Sequence, residues 1–179
     1  MLSRGIKKIV PVFMPVDVDE VTLSSAEETA VVNARLKGEK AAAFTASPIL
    51  AFDTVVGTDS SVFGKPTARE QAVSMLKELC GRTHVVVTAV YFRVNEKIIE
   101  KTEKTYVTFG AFNKDLVYNY VDSGAPYDKA GGYNIDDPEV RSLVTKIDGD
   151  YDSVVGLPVL LTEKLIEENL IYGEDGHCY

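Results

Sequence analysis

The sequence is poor in the residues that mark disulfide-stapled and zinc-binding proteins. Its 179 residues include two cysteines, two histidines and no tryptophan. Cys80 and Cys178 do not have the spacing of metal ligands, and Cys80 lies on the apolar side of a predicted helix. A buried free thiol is therefore expected at Cys80, which fits a reducing, intracellular setting.

Long basic clusters and long apolar runs are also missing. The chain has 19 basic and 27 acidic residues, a net charge of −8, so we expect no nucleic-acid polymer as a partner. No apolar run approaches the length of a membrane span, and the opening residues lack the apolar segment of a secretory signal. We expect no membrane contact and a cytoplasmic location. A length of 179 residues fits one domain or two closely joined lobes, and a hydrophobic content of 45% is enough for a sizeable core.

Helical and strand patterns alternate along the chain. Capping pairs at residues 24–28 predict a helix to about Phe44, with Gly38 as its one flaw. A second helix follows Thr67 and ends at Gly81, and residues 83–112 have the composition of an antiparallel hairpin. The pattern predicts an α/β domain with a mixed β-sheet over residues 1–179, in which the hairpin and a short helix, around 83–125, form a candidate second lobe.

Asp53 places a carboxylate in the otherwise apolar run at the start of AFDTVVGTDSSVFGKP, residues 51–66. An ionised carboxylate in such a setting is costly unless a partner, a hydrogen-bond network or a metal offsets its lost hydration. One interpretation is a side chain that bonds backbone amides where a strand meets a loop. The other is a catalytic or metal-binding carboxylate at a strand end. The residue alone leaves both open.

Other charged residues lie at the ends of neighbouring predicted elements. Lys40 lies within the first helix and Lys65 precedes the second. Three acidic residues precede the first helix: Asp17, Asp19 and Glu20. Each alone is typical of a solvated surface. Together they suit a metal-bound polyphosphate, because carboxylates hold the cation and ammonium groups hold phosphoryl oxygens. The glycine-rich stretch at 123–135, SGAPYDKAGGYNI, is either a surface loop or a nucleotide-binding loop, and glycine content does not discriminate between them.

Several spaced motifs resemble those of the Maf family of nucleoside triphosphate pyrophosphatases. They are the Asp-Thr, Lys-Pro and Leu-x-Gly-x-Thr-His series in residues 51–90, followed in the right order by PYDKAGGYNI and IDGDYDSVVGLP. The resemblance implies an elongated mixed sheet flanked by helices, with a central cleft between two lobes and usually a homodimer. It implies hydrolysis of a nucleoside triphosphate to the monophosphate and pyrophosphate with a divalent cation, Mg²⁺ or Mn²⁺.

The resemblance also assigns roles to individual residues. Asp53 matches the family's general base, and Glu20 matches its acidic residue near the metal, so these two are the expected metal ligands. The positions that match substrate-binding residues are Lys40 and Lys65 for the phosphates and Thr54 and Asp136 for substrate choice.

The sequence departs from the family pattern in two places. Asp136 stands where the pyrimidine-specific branch carries Gln, which leaves the choice open between dTTP or UTP and other, modified nucleotides. The family opens with a strand and a Ser-x-Ser-Pro-Arg-Arg loop, whereas MLSRGI aligns with the end of the helix after that loop. We therefore expect the chain to lack the loop and its phosphate clamp. The alternative function is a non-hydrolysing nucleotide-binding or scaffold protein that has lost turnover with this clamp.

Overall fold

The structure, a computed structural model, describes residues 11–170. Its helices are α1 (Ala26–Ala42), α2 (Arg69–Leu79), α3 (Lys114–Asp122), α4 (Pro138–Leu143), α5 (Tyr151–Val155) and α6 (Val159–Asn169). Its strands are β1 (Ile49–Gly57), β2 (Val62–Phe63), β3 (Thr83–Val94), β4 (Lys97–Phe109) and β5 (Val144–Asp148). Within this part of the chain, no helix combines the length and the apolar character that crossing a membrane requires.

The strands form one sheet in the order β2-β1-β3-β4-β5. The α/β class is confirmed, but every strand pair between residues 11 and 170 is antiparallel, so the described sheet is not mixed. Tight turns explain part of this difference, because a two-residue connection such as Asn95–Glu96 can join only antiparallel strands. The predicted hairpin β3–β4 is confirmed, and β3 is the central strand, paired with both β1 and β4. The division into two lobes stays a prediction.

Helix α1 begins where the capping pattern predicts. The Ser25 hydroxyl accepts a hydrogen bond from the Glu28 backbone N–H at 3.2 Å, which satisfies one of the free amides of the first turn. Gly38, the apparent flaw in this helix, has a packing role. A Cβ at this position would overlap the ring of Tyr91 on β3, so the missing side chain lets α1 lie close against the sheet.

Two hydrophobic layers cover opposite faces of the sheet. Small residues of α1 pack on one face against alternate residues of β3, among them Val87 and Tyr91. The other face carries a larger cluster with α2, α3 and α4, and α6 packs on this face near Val90. Asp53 shares its strand face with Val55, which belongs to the α1 layer. The sequence therefore places this carboxylate under α1.

Of the two cysteines, Cys80 lies within the described part of the chain. Cys80 is a free thiol at the end of α2, and it is half-buried rather than buried. Burial raises the pKa of its thiol. Cys178 lies outside the described residues.

Candidate functional site

A cleft of about 370 Å³ opens between β1, the loop before α2, the loop at 128–136 and α5. Four of the residues predicted for the site line it, and so does one lysine that was not predicted; these residues are Asp53, Thr54, Lys65, Asp136 and Lys37. Glu20, the remaining predicted acidic residue, contacts both lysines.

Asp53 lies in the middle of β1, opposite Ala89 of β3, and is 7% exposed, so the predicted position at a strand end is wrong. The Lys37 Nζ atom lies 2.5 Å from its Oδ1 atom, and Asn33 Nδ2 donates to its Oδ2 atom at 3.4 Å. Asn33 and Lys37 are four residues apart on α1, so both face the same strand. A buried ion pair with an added amide therefore compensates the carboxylate that looked out of place in the sequence.

Glu20 connects the two lysines of the cleft. Its Oε1 atom lies 2.8 Å from Lys37 Nζ, and its Oε2 atom lies 3.0 Å from Lys65 Nζ. Positive and negative groups thus alternate in the order Lys65, Glu20, Lys37, Asp53. We call these four residues the charged row.

Burial and neighbouring charges shift the pKa values of the row in different directions. Burial raises the pKa of Asp53 and outweighs the opposing effect of Lys37. Partial burial also acts to raise the pKa of Glu20, but hydrogen bonds and charges from Lys37 and Lys65 together bring it below its ordinary value. Burial acts to lower the pKa of Lys37, and its bonds to Asp53 and Glu20 raise it overall. Asp53 is therefore the better proton acceptor of the two carboxylates.

Lys40, the lysine predicted from the sequence, is not among the residues that line the cleft. It lies exposed in the last turn of α1, and Lys37 holds the contact with Asp53 instead. Asn33, Lys37 and Lys40 recur at the spacing of one helix face, which could have suggested Lys37 as a second candidate. Sequence reasoning missed it because a lysine on a predicted helix is usually solvated.

Residues 133–136 form the opposite side of the cleft and are anchored from the core. The Tyr133 hydroxyl lies 2.9 Å from Nε2 of the buried His84. The backbone N–H of Asn134 donates to the hydroxyl of Tyr120, also at 2.9 Å. Burial lowers the pKa of His84 to about 4, so this imidazole is neutral at physiological pH. We call residues 133–136 the anchored segment.

Asp136 and Thr54 have further partners at this side of the cleft. The Tyr151 hydroxyl donates to Asp136 Oδ1 at 2.5 Å. The Thr54 hydroxyl lies 2.8 Å from that of Thr88, which in turn donates to the Ser153 carbonyl at 2.7 Å. These bonds join β1 and β3 to α5, and they hold the two predicted specificity residues in fixed positions.

The carboxylates of the charged row suit a divalent cation. Asp53 and Glu20 both contact the same ammonium nitrogen, so their oxygens converge on one cationic position. Mg²⁺ in nucleotide sites commonly takes one or two carboxylates and completes its shell with phosphates and water. Among residues 11–170 no group of three or more His, Cys, Asp and Glu side chains could hold a metal ion. Asp53 and Glu20 are the residues that would hold a cation, and phosphate oxygens and water would supply its remaining ligands.

Comparison with known proteins agrees with the motifs. A family model described as Maf-like protein matches residues 1–169. The chain belongs to the Maf family. It is 46% identical to the dTTP/UTP pyrophosphatase of Thermosipho africanus over 112 residues, which are 62% of this chain and 58% of that protein.

Two further relatives extend the comparison of this Maf protein. The dTTP/UTP pyrophosphatase of Pyrococcus furiosus is 40% identical over 153 residues, 85% of this chain and 80% of that protein. The nucleoside triphosphate pyrophosphatase of Haemophilus ducreyi is 38% identical over 121 residues, 68% of this chain and 61% of that protein. In two of these three alignments the chain spans less than two thirds of the relative's length.

Proposed function

We propose that this Maf protein hydrolyses nucleoside triphosphates to the monophosphate and pyrophosphate. The names of its relatives support this activity at the level of nucleoside triphosphate pyrophosphatase. The observation that carries the proposal for this chain is the charged row, in which two lysines and two carboxylates alternate along one side of the cleft. Such a row offers cations for a triphosphate and a carboxylate for an attacking water in the same place.

Lys37 and Lys65 are the proposed phosphate contacts. Both line the cleft, and an ammonium group offers three donors that can turn from a carboxylate to a phosphoryl oxygen. Stabilising charge on the phosphates is the main contribution a protein makes to phosphoryl transfer. In this proposal Lys37 takes the place that the sequence motif gave to Lys40.

Asp53 is the proposed general base. It takes a proton from the water that attacks the α-phosphorus, the α–β phosphoanhydride bond breaks, and pyrophosphate leaves. Because burial raises the pKa of Asp53, its carboxylate is a stronger base than an exposed aspartate. A divalent cation, Mg²⁺ or Mn²⁺, held by Asp53 and Glu20, would neutralise phosphate charge when bound.

The proposed substrates are dTTP and UTP, the nucleotides in the names of several relatives. Thr54 and Asp136 are the proposed residues of substrate choice. Asp136 Oδ1 accepts from Tyr151, and a carboxylate acceptor of this kind suits the imide N–H of uracil or thymine. A homodimer and a cytoplasmic location stay predictions.

A panel of nucleotides with product identification tests the proposal. The purified chain is incubated with dTTP, UTP, CTP, GTP and ATP in the presence of Mg²⁺ or Mn²⁺, and the products are identified by phosphorus NMR. We expect monophosphate and pyrophosphate, fastest from dTTP or UTP. Orthophosphate as the first product would contradict the proposed bond cleavage. Nucleotide binding without turnover would favour the non-hydrolysing alternative.

A further inference from the structure

Lys37 makes a contact that a phosphate-binding lysine alone would not need. Its Nζ atom lies within hydrogen-bond distance of both proposed metal ligands, 2.5 Å from Asp53 Oδ1 and 2.8 Å from Glu20 Oε1. Only 21% of its side chain is exposed. Its ammonium therefore holds the position on which the two carboxylates converge.

The other lysine of the charged row is placed differently. Among residues 11–170 the Lys65 ammonium group pairs with Glu20 alone, and half of its side chain is exposed. It can accompany a cation at Glu20 without leaving the lining of the cleft. Lys37 cannot do so, because a divalent cation and an ammonium group bound to the same two carboxylates would repel each other at close range.

We propose that Lys37 competes with the divalent cation for Asp53 and Glu20 and moves to the triphosphate when metal and nucleotide bind together. This inference rests on the proposed function for the position of the cation. The phosphates give the displaced ammonium a new partner, so the nucleotide should strengthen metal binding, and the metal should strengthen nucleotide binding by the same factor. Metal affinity is then low until substrate arrives.

Mn²⁺ binding tests the competition without any turnover. The signal of free Mn²⁺ in electron paramagnetic resonance gives the dissociation constant for the full chain without nucleotide. Lys37→Met removes the competing charge and should tighten Mn²⁺ binding at least about tenfold. Lys77→Met is the matched control, because Lys77 is exposed on α2 and its loss changes the net charge equally. The control should bind Mn²⁺ as the unchanged chain does.

A second variant and a nucleotide analogue complete the test. Lys37→Gln keeps an amide donor beside Asp53 and should also tighten Mn²⁺ binding, so it decides the question if the methionine variant does not fold. Adding α,β-imido-dUTP should tighten Mn²⁺ binding to the unchanged chain more than to either Lys37 variant. Equal or weaker Mn²⁺ binding by a folded Lys37 variant overturns the inference. If the chain released no pyrophosphate, the proposed function would be wrong, but tighter Mn²⁺ binding by the Lys37 variants would still support the competition.

Discussion

The two sides of the cleft are held in place by different kinds of bond. The charged row consists of side chains bonded to one another, and all but Asp53 are partly exposed, with Lys65 half exposed and Glu20 about one third exposed. The anchored segment is bonded instead to His84 and Tyr120, which are 1% and 2% exposed. Ligands can rearrange the first side by offering new partners, whereas the second side is formed before any ligand arrives. We infer that the charged row rearranges when phosphates bind and that the anchored segment selects substrates by their shape.

Asp53→Asn breaks the charged row at its buried end. It keeps the size of the side chain but removes the charge, and we expect turnover to fall by about 10² to 10⁴, the usual cost of losing a general base. The fold should persist because Glu20 still pairs with Lys37. Pyrophosphate release and a thermal melt measure the two effects. Near-normal turnover by folded protein would remove Asp53 from the mechanism.

His84 tests the anchored segment through the pH dependence of stability. In the unfolded chain an imidazole binds a proton near pH 6.5, whereas burial keeps the pKa of His84 at about 4 in the folded protein. As pH falls, the unfolded state therefore binds this proton before the folded state does. Proton binding lowers the free energy of the unfolded state, so the free energy of unfolding decreases. We expect a loss of about 2 kcal/mol between pH 7 and pH 5 from this one group.

Urea unfolding at pH 7 and pH 5 measures this loss. His84→Leu is the control: it leaves the Tyr133 hydroxyl without its partner, so the variant should be less stable at pH 7. The difference between the two pH values should, however, be smaller than in the unchanged chain by the amount that His84 contributes. An equal pH dependence in both proteins would show that His84 titrates normally.

Lys65→Ala tests whether the charged row contacts the phosphates of the nucleotide rather than its nucleobase. Because Lys65 is half exposed, we expect kcat/KM to fall only about tenfold, less than for a fully desolvated donor. The loss should be the same for every nucleotide in the panel, since all share the triphosphate. If kcat/KM fell for the nucleotides of one nucleobase only, Lys65 would instead be a nucleobase contact.

Tyr151→Phe gives the smallest expected effect and acts on substrate choice alone. It removes the hydroxyl that holds Asp136 Oδ1, a bond at an exposed position worth about 1 kcal/mol or less. The ratio of kcat/KM for dTTP to that for GTP should change a few-fold, while the free energy of unfolding falls by no more than about 1 kcal/mol. Tyr106→Phe, an exposed tyrosine on β4, is the matched control and should leave the ratio unchanged.

Local patterns predicted much of the fold and part of the site. The Ser25 cap, the second helix and the β3–β4 hairpin depend on neighbours in sequence, and all three are present. The motif residues Asp53 and Lys65 line the same cleft, as expected of a shared site. Local signals sufficed for these elements because caps, helix ends and tight turns are encoded by neighbouring residues.

Contacts between residues far apart in sequence could not be predicted from local patterns. Lys37 and Lys40 lie on one stripe of α1, and only the position of the helix on β1 determines which of them reaches Asp53. The pairing of His84 with Tyr133 likewise joins residues far apart in sequence. Neither follows from spacing or composition, because both depend on how the sheet brings distant segments together.

The close approach of α1 to the sheet also links packing to electrostatics. A single methyl group at Gly38 would overlap the Tyr91 ring and force the helix outward, and Lys37 is the adjacent residue on that helix. Moving the helix would draw the ammonium away from Asp53 and leave a buried carboxylate with less compensation. In this protein an uncharged substitution on the sheet-facing side of α1 would therefore change the electric field at the Asp53 carboxylate, although it adds and removes no charge.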